Sequence, residues 1–195
     1  MKNYNYLEKI LRSNNTVFTI KDISLLWKES RNTFHIKSRL SKYVSSGKLI
    51  RLQKGIYAKD KNYNRLELAT KVYTPSYISF ETVLTKHGVN FQFYKTIFVA
   101  SYLSREITID NNKIKLIKIK NQVLTDNTGI ENINGVMIAS LERAFLDRLY
   151  RNPDYHFDNL DVLNWEKVFN ILPIYNNKEM NKRVNKYYKH YKNNI

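Results

Sequence analysis

The chain has 195 residues, of which 43% are hydrophobic and 26% charged. That profile belongs to a folded protein, not a disordered one. It contains no Cys, which excludes disulfides and thiolate metal sites. No apolar run approaches the roughly 20 residues of a membrane span, and the N-terminus lacks the apolar stretch of a signal peptide, so a cytoplasmic protein with no membrane partner is expected.

The formal net charge of +16 is unevenly spread. Residues 1–60 carry 13 Lys/Arg against 4 Asp/Glu, residues 61–173 carry 14 against 12, and residues 174–195 carry 6 against 1. The cations therefore gather at the two ends of the chain. A field of that kind attracts polyanions and supplies the sequence-independent part of nucleic-acid affinity.

Three helical patterns follow one another in the first 47 residues. Tyr6, Leu7, Ile10 and Leu11 share a face, and Ser13-Asn14-Asn15 ends that helix. Thr19 is placed to cap a second helix, with Asp22 completing a box and Ile20, Ile23, Leu26 and Trp27 on one face. A third begins at Asn32 or Thr33 and ends at Gly47; Ile36, Leu40, Tyr43 and Val44 form its apolar stripe. At about 100° per residue, Lys37, Ser38, Ser41, Lys42 and Ser45 fall opposite that stripe. Short hydroxyls tolerate close approach to a groove floor, and Lys reaches phosphate or guanine, so this face is the candidate reader of duplex DNA. Phe34 lies near it but is expected to pack against the second helix. Beyond Gly47, Leu49–Leu52 and Gly55–Ala58 read as two strands joined by Gln53-Lys54. Three helices and a basic hairpin form the order of a winged helix-turn-helix, with the third helix in the major groove and Arg51, Gln53 and Lys54 on the wing.

The centre of the chain reads as mixed α/β. A helix is expected from Arg65 to Tyr73, and another capped by Ser79 with Phe80, Val83, Leu84 and His87 on its apolar face, which makes His87 a core histidine. Thr96–Tyr102 reads as a strand, and Arg105–Asp110 and Lys113–Lys120 as a hairpin turning at Asp110-Asn111-Asn112. Within Lys113–Lys120 the apolar alternation slips, which calls for a bulge or a strand covered on both faces. A strand at Gly135–Ala139 leads to a helix capped by Ser140 and running to about Arg151, with Glu142 expected half-buried in an ion pair with an Arg. A helix over Leu160–Leu172, cut by Pro173, and a basic helical tail over Asn177–Tyr191 complete the chain. The fold class is thus α+β, in three parts: a winged helix-turn-helix over 1–60, a mixed α/β domain over 61–152, and a helical extension with a basic tail over 153–195.

Catalytic signatures are missing. No Asp or Glu is followed two residues later by Lys, and no Asp-x-Asp pair follows a Gly-Ser as metal-dependent nucleotidyl transfer requires. Neither a phosphate-binding loop nor a G-x-S-x-G elbow occurs. The four His residues, at 35, 87, 156 and 190, are scattered, and Asp154, Asp158 and Asp161 read as loop and helix-start residues. The expectation is a protein that is not an enzyme, with no metal and no cofactor.

Three stretches carry a resemblance to a known family. They are Gly47–Leu52 with Lys54–Tyr57, Tyr77–Leu84 with His87-Gly88, and Ala139–Asp147. Their order and spacing resemble the AbiEi family of antitoxins, from type IV toxin–antitoxin and phage-abortive-infection systems. The resemblance spans about residues 5–150. Leu141 stands where many members carry Pro, and the resemblance does not extend to the tail beyond Asn152, whose role it leaves open. It implies a repressor that binds double-stranded DNA at its own promoter, and a second domain that neutralises a nucleotidyltransferase-like toxin encoded next door. The alternatives are a stand-alone winged-helix transcription factor whose second domain senses a ligand or dimerises, and an RNA-binding protein working through the basic tail.

Overall fold

In the computed structural model, residues 6–29 and 34–193 are described, so the expected start of the third helix at Asn32 or Thr33 lies outside them. The chain is α+β and divides into two compact units, 1–72 and 73–195.

The first unit contains α1 (Tyr6–Arg12), β1 (Val17–Thr19), α2 (Ile20–Trp27), α3 (Phe34–Ser45), β2 (Ile50–Gln53), β3 (Ile56–Ala58) and α4 (Arg65–Lys71). The cap expected at Thr19 is present as a full box: its hydroxyl accepts from the Asp22 N–H, and the Asp22 carboxylate accepts from the Thr19 N–H. The apolar stripes meet in one core of Ile10, Phe18, Ile23, Trp27, Ile36, Leu40, Leu49 and Tyr57. Leu11, expected among them, is half exposed because its face of α1 turns outward. Gly47, at φ +68°, ends α3 by letting the chain turn left-handed, so that the Lys48 N–H reaches the Tyr43 carbonyl.

Strands β2 and β3 form the expected hairpin, turning at Lys54-Gly55 with an irregular step between Arg51 and Gln53. A third strand, β1, lies along the other side of β3, giving an antiparallel sheet ordered β1-β3-β2. It is too short to show alternation in sequence. Helix α4 belongs to this unit, although the sequence reading ends it near residue 60. The cause is Glu67, whose buried carboxylate accepts from the Thr16 N–H (2.8 Å), the Thr16 hydroxyl (2.7 Å) and the Val17 N–H (3.2 Å).

The second unit is built on a six-stranded mixed sheet. Its strands are β4 (Ser76–Ile78), β5 (Ile97–Ser101), β6 (Arg105–Ile109), β7 (Asn112–Lys118), β8 (Ile130–Ile133) and β9 (Val136–Ala139), in the order β6-β7-β5-β4-β9-β8. The β5–β7 and β4–β9 pairs are parallel and the others antiparallel. The β6–β7 turn places Asp110 and Asn111 both at positive φ, the requirement of a tight two-residue hairpin. The register of β7 against β5 is continuous from Ile114 to Lys118, so the slipped alternation reflects burial on both faces and not a bulge.

Helices α5 (Glu81–Lys86), α6 (Asn121–Leu124), α7 (Leu141–Arg151), α8 (Trp165–Ile171) and α9 (Lys178–Asn193) complete the unit. Ser140 caps α7 as expected, accepting from the Arg143 N–H. Ser79 does not cap α5: it is fully buried and donates to Asp147, leaving Phe80 at the cap position with φ +56°. His87 is exposed at the end of that helix, not in the core, because α5 stops at Lys86 before His87 can join its apolar face. The helix expected from Leu160 begins only at Trp165, capped by the Asn164 side chain. Pro173 sits in a 3-10 turn, Leu172–Tyr175. The C-terminal segment is part of this unit and not an extension from it: Met180 and Val184 of α9 are fully buried, and Tyr187 packs against Phe145 and Phe157.

Candidate nucleic-acid interface

Helix α3 is held on one side and open on the other. Ile36 and Leu40 are sealed in the core, which fixes the rotation of the helix about its axis. Lys37, Ser38, Ser41, Lys42 and Ser45 consequently point to solvent, and all five are exposed. At 1.5 Å per residue they run along about 12 Å of one helix face. The Ser45 hydroxyl donates back to the Lys42 carbonyl at 3.0 Å, so it is occupied within the helix.

Arg39 is the cation of α3 that this face does not include. Its guanidinium pairs with Glu29 at 2.6 Å and lies 4.0 Å from the centre of the Tyr6 ring. Although partial burial opposes it, hydrogen bonds from Tyr6 and Arg39 hold the Glu29 carboxyl below its ordinary pKa. Arg39 thus braces α3 against its neighbours.

Phe34 does not pack against α2. It is 76% exposed, with an edge contact to His35, because it precedes the stripe that begins at Ile36. On the hairpin, Arg51 and Lys54 are exposed and Gln53 is half-buried. Lys54 stands at the tip beside Gly55, whose φ of +83° makes the turn tight. Lys48, exposed between α3 and β2, adds a cation that the helix pattern could not show because it lies beyond Gly47.

The second unit holds a polar cluster that the sequence reading did not identify. Arg143 and Asp147, one turn apart on α7, are both fully buried. The guanidinium donates to Asp147 Oδ1 (3.3 Å), to the carbonyls of Val123 (2.7 Å), Thr128 (2.7 Å) and Asp126 (3.3 Å), and to the Tyr77 hydroxyl (2.9 Å). Asp147 accepts further bonds from Tyr77 (3.0 Å), Ser79 (2.7 Å) and Tyr175 (2.7 Å). Burial pushes the Tyr77 and Tyr175 hydroxyls well above their ordinary pKa, and the Asp147 charge adds to it. Every N–H of the guanidinium is used, which leaves none for a substrate. The cluster is a structural lock. The ion pair expected at Glu142 is one residue away, at Arg143; Glu142 accepts instead from the Asn164 N–H at 3.4 Å.

Two phenylalanines of this unit, Phe91 and Phe93, are more than 70% exposed. Their loop is anchored by the Asp158 carboxylate, which accepts from the Phe91 N–H at 2.8 Å. Among the described residues no three His, Asp or Glu side chains gather as a metal site, and no helix is long and apolar enough to cross a membrane. Compared with known proteins, the chain matches no family model and no curated sequence.

Proposed function

We propose that the chain is a DNA-binding repressor that acts as the antitoxin of a type IV toxin–antitoxin system. In this reading residues 1–60 work as a winged helix-turn-helix. Helix α3 enters the major groove of the operon's own promoter, and the β2–β3 hairpin touches the flanking backbone. The observation that carries it is the outward face of α3, where Lys37, Ser38, Ser41, Lys42 and Ser45 are all exposed while Ile36 and Leu40 lock the opposite side. Cations supply affinity for phosphates, and short hydroxyls allow the helix backbone to approach base edges. Arg51 and Lys54 extend the basic surface onto the hairpin.

The second unit is assigned to the toxin on the order of Tyr77–Leu84 and Ala139–Asp147. The exposed and anchored Phe91 and Phe93 are apolar side chains suited to a protein partner. Mobility-shift titration with the DNA upstream of the coding frame, against scrambled DNA of equal length, tests the first half; equal affinities would sink it. Co-expression with the adjacent frame tests the second half. Rescue of growth is expected, and failure to relieve that neighbour's toxicity would leave a stand-alone transcription factor.

A further inference from the structure

Helix α9 is unlike every other helix of the second unit in what it shows to solvent. Six Lys/Arg and a single carboxylate, Glu179, occupy its sixteen residues, and Glu179 is already paired with Lys182 at 2.8 Å. Projected at 100° per residue, Lys178, Lys182, Lys189 and Lys192 fall within about 40° of one line, directly opposite the buried Met180 and Val184. That line is about 21 Å long, enough to follow several consecutive phosphates.

At one edge of the lysine line Tyr188 begins a strip of aromatic rings, which continues through Tyr191 toward the buried side of the helix. Trp165 is buried, and against it sit Tyr188 (5.0 Å between ring centres) and Tyr191 (5.4 Å). Both tyrosines remain partly open to solvent, as does Phe169 on α8. The Tyr188 and Tyr191 rings are within 19° of parallel, with centres 6.3 Å apart, and the Lys192 ammonium lies 4.8 Å from the Tyr188 ring centre.

We propose that this strip and the lysine line form a second nucleic-acid site, specific for single strands and independent of α3. Cations tracking a backbone beside rings that accept base stacking are the two components of sequence-tolerant single-strand binding. A duplex offers the same phosphates but hides its base faces, so the aromatic half of the site discriminates against it. The rings are preorganised by Trp165, which lowers the entropy lost on stacking.

The test uses the full chain and fluorescence anisotropy with three 5′-labelled probes of equal length: an oligouridylate, an oligothymidylate and a mixed-sequence duplex. Lys189→Glu/Lys192→Glu should weaken both single-stranded probes at least about ten-fold and flatten their salt dependence. Tyr188→Leu, which removes the ring beside Lys192 and keeps apolar bulk on Trp165, should weaken them by about five-fold or more. Neither change should alter duplex affinity, whereas Lys37→Glu/Lys42→Glu on α3 should do the reverse. Tighter binding of the oligouridylate names RNA as the source of the strand, tighter binding of the oligothymidylate names DNA, and equal binding makes the site indifferent to the sugar. Unchanged single-strand affinity in the lysine variant overturns the site. A loss that follows the lysines but not Tyr188, or that extends equally to the duplex, overturns the stacking and leaves an unspecific basic surface.

Discussion

Arg143 and Asp147 face each other across one turn of α7 at 3.3 Å, with both side chains wholly sealed from water. Their mutual attraction offsets desolvation only because the remaining polar atoms of both groups are also bonded. Tyr77, Ser79 and Tyr175 supply that completion from β4, the chain just after it, and the 3-10 turn. With the Val123, Asp126 and Thr128 carbonyls that accept from Arg143, the pair ties three distant stretches of sequence to one helix.

Removing one partner should expose that dependence. Arg143→Leu leaves the Asp147 charge buried and should cost about 3–5 kcal/mol of unfolding free energy. The double variant Arg143→Leu/Asp147→Leu should lose less than the sum of the two single losses, as coupled groups do. Urea unfolding reads both, and additive losses would show that the two side chains do not act as a pair.

The pH dependence of stability turns on Asp126. Hydrogen bonds from the Thr128 hydroxyl and N–H hold the Asp126 carboxyl below its ordinary pKa. Its contribution is present above the unfolded pKa and lost as pH falls through the folded one. Asp126→Asn should therefore lower the urea midpoint more near pH 6 than near pH 2.5, because the stabilisation from the charged form fades as pH falls. An equal loss at both values would mean that the charge is not what matters.

Thr19 and Asp22 together cap the start of α2. Thr19→Ala removes the acceptor for the Asp22 N–H and should destabilise the first unit by about 0.5–2 kcal/mol. Thr19→Ser keeps the acceptor and should recover most of the loss in calorimetry of the full chain.

On the proposed interface, Ser38→Glu/Ser41→Glu places two carboxylates against the DNA. Operator binding should vanish while unfolding free energy changes by no more than about 0.5 kcal/mol, since both positions are exposed. Unchanged affinity would mean that another face, or another helix, reads the DNA.

Lys54→Ala should act differently, weakening every duplex to a similar degree. The slope of log affinity against log salt should fall by about 0.9, the value of one phosphate contact. A change confined to one operator sequence would move Lys54 from backbone to base recognition.

The elements legible in the sequence are those whose reasons are local. Thr19 and Asp22 specify a cap within four residues, Ser140 another, and Ile36 and Leu40 declare the buried side of α3 and with it the exposed one. Phe34 and His87 show the limit of the same reasoning, since periodicity says which residues share a face but not where a helix stops covering them. Strands β1 and β4 went unread because their three residues show no alternation and their partners lie far along the chain, whereas β8 pairs with the adjacent β9 and was hidden by its polar, mostly exposed residues. By itself, then, the sequence determined helix faces, caps, tight turns and the gathering of cations at the two ends. Only the tertiary structure decided that Ser79 serves Asp147 and not a helix start, that Glu67 binds α4 into the first unit, and that the basic tail folds back onto α7. Those outcomes are contacts between residues some forty to seventy positions apart, the first two set by buried carboxylates that need partners and the third by apolar and aromatic packing, and no local pattern encodes them.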